Sequence, residues 1–164
     1  MKKITYLIIS LIFLSFINAC AGYKPIYTTT NLQFEIADYS IKTNKKLGRQ
    51  IYSKLYNLSK SNKKNAETKS ITIIIDTTKN KNATAKDSAG KVLEYRIVLS
   101  NNIIVKDYLT DDEILNQTFS YSSIYKVQDQ YIETIKLENK SIEDLINKTY
   151  QNLLIKMTEN IFTK

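Results

Sequence analysis

The sequence predicts an α+β fold with the element order β-α-β-β-β-α. Three observations predict it. Two stretches carry apolar residues at three- and four-residue steps, which places them on one face of a helix. Four others are β-branched or alternate apolar with polar, as strands do. Residues that favour caps and turns fall between these stretches.

The chain opens with Lys2 and Lys3, runs apolar from Ile4 to Ile17 and ends this stretch with Asn18-Ala19-Cys20. A spanning helix needs about 20 predominantly apolar residues. A signal peptide needs a basic start, a shorter apolar run and a small residue at the cut, here Ala19. Residues 1–19 therefore read as a lipoprotein signal peptide. Cleavage before Cys20 is expected to leave that residue carrying acyl chains, palmitate among them. Each buried acyl CH₂ contributes about 0.8 kcal/mol, and stable anchoring takes more than one chain. Asp, which often retains lipoproteins at the inner membrane, is absent after the cysteine. Ala21 stands there and points to the outer membrane. Residues 20–32 then read as a lipidated tether containing Gly22, Pro25 and Thr28-Thr29-Thr30, and residues 33–164 as one domain.

Phe34 to Tyr39 alternates and predicts a short strand. Thr43 to Ser59 predicts a helix with Leu47, Ile51, Leu55 and Leu58 on one face and Thr43 or Asn44 as its cap. Lys60 to Lys69 is a polar loop. Ile71, Ile73, Ile74 and Ile75 mark a buried strand over Ser70 to Asp76. Thr77 to Gly90 has no apolar residue larger than alanine and reads as a mobile loop. Lys91 to Ser100 alternates, with Leu93, Tyr95, Ile97 and Leu99 facing one way and Glu94 and Arg96 the other. Asn101-Asn102 marks a bulge or bend, and the strand continues to Leu109. Thr110-Asp111-Asp112 is turn chemistry. Ile114 to Val127 is the returning strand, and Gln128 to Lys140 a polar connection. Ser141 is expected to cap the last helix, with Asp144 three residues on and an apolar face of Ile142, Leu145, Ile146, Thr149, Leu153, Met157 and Ile161.

Composition narrows the function. The chain has no His and one Cys, so His-based nucleophilic catalysis, a typical zinc site and an internal disulfide are excluded. The net charge is +8, and removal of Lys2 and Lys3 with the signal leaves +6. Such a surplus suits a polyanionic partner, although abundant Lys, Asn and Ile also fit an AT-rich genome. Gly22, Gly48 and Gly90 form no phosphate loop. Asp111, Asp112 and Glu113 are consecutive acids in a turn, with no converging pair as hydrolysis requires. Nucleic-acid binding has the charge but no motif. No enzyme activity, cofactor or metal is expected.

The residues Cys20-Ala21-Gly22-Tyr23-Lys24-Pro25-Ile26-Tyr27 resemble the start of mature LptE proteins, the lipopolysaccharide-assembly lipoproteins, in their alphaproteobacterial form. Leu47-Gly48-Arg49 with Ile51 and Leu55 resembles the family's first helix, and Tyr95-Arg96-Ile97-Val98-Leu99 its central strand. Ser120-Tyr121-Ser122-Ser123-Ile124-Tyr125 resembles its last strand. The likeness covers nearly all of Cys20 to Phe162, in order and texture more than in identity. It implies a two-layer sandwich: a small mixed or antiparallel sheet of about four strands with two helices on one face. Leu47, Ile51, Leu55, Leu145, Ile146 and Leu153 would then pack on that sheet. It also implies an outer-membrane subunit that plugs an LptD-like barrel, aids its assembly and contacts lipopolysaccharide from the periplasmic side. The alternative is a periplasm-facing lipid-binding or auxiliary lipoprotein of another envelope transport system.

Lipopolysaccharide demands cations near an apolar surface. The candidates are Arg96, Lys91, Lys86 and Lys106, with Lys79 and Lys81 nearby. Arg96 is the most pointed of them, because a guanidinium forks onto phosphate. The alternative is that these residues only solvate a loop or pair across the strand. The chain has 12 Tyr and no Trp. Tyr23, Tyr27, Tyr95, Tyr108, Tyr121 and Tyr125 suit a polar barrel lumen, or simply reflect β-propensity.

Overall fold

A computed structural model describes residues 32–61 and 68–161. The elements are β1 (Phe34–Ile41), α1 (Lys45–Ser61), β2 (Lys69–Lys86), β3 (Val92–Asp107), β4 (Glu113–Lys126) and α2 (Tyr131–Ile161). Their order is the predicted β-α-β-β-β-α. The four strands form one mixed sheet in the order β1-β2-β3-β4. β1 runs parallel to β2, and the other two pairs are antiparallel.

One face of the sheet makes the core. Ile73 and Ile75 of β2 lie beside Val105 and Ile103 of β3, Ile71 precedes them, Leu99 and Ile97 continue the buried row of β3 beside Lys79 and Lys81, and Leu115 and Phe119 of β4 complete the layer. Leu47, Ile51 and Leu55 of α1 and Leu145, Ile146 and Leu153 of α2 pack with them, as expected. Burying one such side chain contributes about 1.5–3 kcal/mol. Leu32, placed by sequence at the end of the tether, is also in this core. The alternate positions, Thr72, Val98, Ser100, Thr118 and Ser122 among them, face away from the helices.

Asn44 caps α1: its side-chain oxygen accepts from Leu47 N at 3.2 Å and its carbonyl from Gly48 N at 3.0 Å. Gly48 sits where the helix meets β1. A Cβ there would lie 2.5 Å from Ile41 Cγ2, the rigid branch of a side chain that has little room to yield.

Three expectations are corrected. Thr77 to Gly90 is not a loop as far as Lys86, because β2 pairs with β3 out to Lys86↔Val92 and only Asp87–Lys91 turns. Its pattern is polar because its outer edge and its outward face both meet water. Asp87 Oδ1 accepts from Ala89 N and Lys91 N, and Gly90 takes the positive φ of 84° that the turn requires. Asn101-Asn102 carries no bulge. Pairing is continuous through both, and the irregularities lie between Ile36 and Asp38, around Ala85 and at Val105/Lys106. Ser141 does not cap a helix: it is buried in the middle of α2, which has already begun at Tyr131. That start carries no cap residue in front of it. Thr134, inside the first turns, reaches back, and its hydroxyl accepts from Gln128 N at 2.8 Å.

Asn101 is instead part of a fully buried polar rung. Thr77 donates its hydroxyl to Asn101 Oδ1 at 2.9 Å, Asn101 Nδ2 donates to Thr149 Oγ1 at 3.0 Å, and Thr149 donates to Leu145 O at 3.0 Å. The rung ties β2, β3 and α2 together.

Thr149→Val keeps the shape but leaves the Asn101 amide without its acceptor. It should cost about 1–3 kcal/mol, read as a lowered midpoint in urea denaturation with the slope unchanged. Gly48→Ala should also destabilise, by about 1–3 kcal/mol, because overpacking against Ile41 outweighs the gain in helix propensity. Thermal unfolding checks it.

Candidate functional site

β2 and β3 extend past the end of β1, which pairs only as far as Ile75. Over this distal part the helix side of β2 turns from apolar to polar, while Leu99 and Ile97 of β3 beside it stay buried. Lys79 and Lys81 project there, beneath the first half of α2. Lys81 Nζ lies 2.6 Å from Glu138 Oε2, and Lys79 Nζ lies 3.3 Å from Oε1. Tyr125 donates its hydroxyl to Glu138 at 2.9 Å. Lys81 also lies over the Tyr95 ring, 4.3 Å from its centroid, and Tyr95 stacks on Tyr125 at 5.9 Å. One carboxylate thus collects two cations and a phenol, with an aromatic floor.

The charges respond to this setting. Burial disfavours the Glu138 carboxylate, but the hydrogen bonds of Lys81, Tyr125 and Lys79 prevail and hold its pKa below the ordinary value. Burial likewise opposes the Lys81 charge, and Glu138 and Tyr125 overcome it, raising the ammonium above the ordinary lysine value. Burial raises the Tyr125 phenol, with the opposing pulls of Lys81 and Glu138 added.

The sequence candidates are not brought together. Arg96 stands on the open face between Asn82 and Ile124. Lys86 and Lys91 are exposed at the tip of the β2–β3 hairpin on the same end of the sheet. Lys106 is ten residues from Arg96 along β3, about 33 Å at the rise of a strand. It pairs with Asp111 at 2.9 Å. A single site built from all four is therefore excluded by geometry; Arg96, Lys86 and Lys91 remain as one cationic end. Tyr95, Tyr121 and Tyr125 lie on the helix side of the sheet, and Tyr108 is exposed. Tyr23, Tyr27 and Cys20 lie outside the described residues.

A cleft of about 750 Å³ runs between the helices. Its floor is Leu47, Ile142 and Ile146. Lys46, Arg49 and Lys54 of α1 line one wall, and Glu143 and Glu138 of α2 the other. Sequence reasoning missed this, although α1 holds Lys and Arg and no acid, a signal present in the sequence. Among the described residues no three His, Cys, Asp or Glu side chains gather to hold a metal, and no helix is long and apolar enough to cross a membrane.

Glu138→Gln should cost about 1–2 kcal/mol near neutral pH. The Glu138 contribution is present above the ordinary carboxylate pKa, about 4.3, and is lost as pH falls through the depressed folded value. That of Lys81 is present below the ordinary lysine pKa, about 10.4, and is lost as pH rises through its raised value. The gap in thermal midpoint between wild type and Glu138→Gln should therefore be flat from about pH 5 to 10 and close in acid. A gap that persists unchanged at low pH contradicts this.

No family model matches the chain, and no curated protein matches it. Solved structures do. Lipoprotein B from Nitrosomonas europaea superposes with a TM-score of 0.56 at 16% identity, covering 87% of this chain and 92% of that one. A minor lipoprotein from Acinetobacter baumannii gives 0.55 at 11% identity, with 79% and 92% covered. The rare lipoprotein B from Shewanella oneidensis gives 0.51 at 16% identity, with 74% and 94% covered. The chain has the fold of these bacterial lipoproteins.

Proposed function

We propose that this chain is a non-enzymatic, lipid-anchored subunit of the lipopolysaccharide export translocon at the outer membrane. It would plug an LptD-like barrel, aid its assembly and contact lipopolysaccharide. The observation that carries this reading is the pairing of a lipobox cysteine, Cys20, and its Gly22-Tyr23-Lys24-Pro25 tether with a domain that shares the fold of bacterial lipoproteins.

The geometry supports it physically. A sheet with one dry face and one wet face presents a broad, rigid surface without further folding. The wet face carries short polar side chains such as Thr78, Asn80, Ser100, Asn102, Thr118 and Ser122, each able both to donate and to accept. Such a surface fits the polar wall of a barrel lumen. Arg96 projects from it unpaired among the described residues, beside the exposed Ile124. A guanidinium next to apolar surface is the arrangement a phosphorylated lipid requires.

Crosslinking in cells followed by purification should recover a stoichiometric complex with a large outer-membrane barrel. Recovery alone, or with an inner-membrane transporter, sinks the proposal. Radiolabelled palmitate should enter the wild-type chain but not Cys20→Ala. Arg96→Glu should weaken binding to purified lipopolysaccharide by about tenfold, the loss of one charge-assisted contact, while Lys156→Glu should not; equal losses would mean diffuse attraction.

A further inference from the structure

Charge is segregated between the two helices. α2 mixes Glu133, Glu138, Glu143, Asp144 and Glu159 with its lysines, and Lys136 and Lys156 are ion-paired along it. α1 carries Lys45, Lys46, Arg49, Lys54 and Lys60 and no acid. None of these five makes an ion pair or hydrogen bond among the described residues. Lys45, Lys46, Arg49 and Lys60 fall within an arc of about 100° at 3.6 residues per turn, opposite the buried Leu47, Ile51 and Leu55. Lys45, Lys46 and Arg49 cluster at one end and Lys60 stands at the other, so the ridge they form spans about 22 Å.

Folding gives no reason for this ridge. Lys45, Lys46 and Arg49 stand at the positive end of the helix dipole, where a cation destabilises the helix. Lys46 and Arg49 sit where the ridge borders the cleft; Glu138 and Glu143 line the cleft's opposite wall, and no ion pair crosses it among the described residues. Tyrosines run along and within the ridge: Tyr39 stacks on Tyr52 at 4.0 Å, Tyr52 tilts against Tyr56 at 5.7 Å, and Lys60 lies 5.4 Å over the Tyr56 ring.

We propose that the outer face of α1 rests on an anionic phospholipid surface, its cations meeting headgroup phosphates. The cluster and Lys60 together span more than one small anion reaches, so an extended array of phosphates meets all four at once. A lipid surface fits better than a polynucleotide. Tyr39 stacks on Tyr52, Tyr52 tilts against Tyr56 and Lys60 covers the Tyr56 ring, so the rings offer no open row of parallel platforms for bases, whereas an amphipathic ring row suits the headgroup level. This goes beyond the translocon reading: it needs an anchored chain but no barrel.

The test uses the full chain, purified from membranes and placed in phosphatidylcholine nanodiscs with or without phosphatidylglycerol. Acylation of each lysine by an amine-reactive label is followed by mass spectrometry. Labelling of Lys45, Lys46 and Lys60 should slow by about fivefold on the anionic discs and recover in high salt. Lys136 and Lys156 should label alike on both. Lys45→Gln combined with Lys46→Gln and Arg49→Gln should abolish the protection of Lys60 without lowering the thermal midpoint. Equal labelling on both discs overturns the proposal. So does protection already present in detergent, which would mean a second copy covers the ridge. Protection by double-stranded DNA but not by the anionic discs would assign the ridge to nucleic acid and overturn it as well. Barrel co-purification is read independently, so either result can fail without the other.

Discussion

The sheet is longer than the layer that covers it, and most features of the molecule follow from that mismatch. β3 has 16 residues, about 50 Å of extended chain. α1 has 17 residues but spans only about 25 Å. β1 pairs only as far as Ile75 of its neighbour, and α1 packs over that half of the sheet. Only α2, with 31 residues and about 46 Å of helix, runs the length of the sheet. The half under both helices carries Ile71, Ile73, Ile75, Ile103 and Val105. In the half under α2 alone β3 keeps Leu99 and Ile97 buried, but β2 changes to Lys79 and Lys81, and Tyr95 and Tyr125 follow at the end.

The buried rung of Thr77, Asn101 and Thr149 sits at the boundary between these halves. It answers a question that hydrophobic alternation leaves open. A one-residue slip of β3 would expose its apolar set and is forbidden by burial. A two-residue slip preserves the alternation of Ile97, Leu99, Ile103 and Val105 and costs far less apolar contact. Asn101 breaks that degeneracy. Only one register places its amide against both Thr77 and Thr149, and every other leaves a polar group buried without a partner. The rung fixes register across both layers at once.

Where burial decides structure, the sequence was legible. The α1 stripe of Leu47, Ile51 and Leu55, the Ile71 to Ile75 run and the α2 stripe from Leu145 to Met157 all appear as periodicity, and all are core. Legibility failed where the residues meet water on most sides. The distal half of β2 shows no alternation because neither its outer edge nor its outward face is apolar, yet its hydrogen bonds to β3 make it strand. The first ten residues of α2 failed for a related reason. Tyr131 and Ile132 are exposed, and the start is fixed by Thr134 reaching backward, which no forward cap pattern reveals. Asn101 looked like a bend because Asn usually is one; its partners come from residues 24 and 48 positions away.

The same limit governs the reading of charge. Composition gives a surplus of cations but not which of them are free. Lys79 and Lys81 lie in a stretch that reads as an open, solvated loop, and they are among the most tightly held cations in the molecule because α2 brings Glu138 over them. Arg49 and its neighbours lie in an ordinary-looking amphipathic helix, and they make no ion pair among the described residues, although Glu138 and Glu143 line the opposite wall of the cleft. Pairing depends on which strand the long helix crosses, a property of topology. A basic composition therefore says little about where an anion binds. The placement of acids on α2 and their absence from α1 says much more, since Lys79 and Lys81 are held by Glu138 while the α1 cations make no ion pair among the described residues.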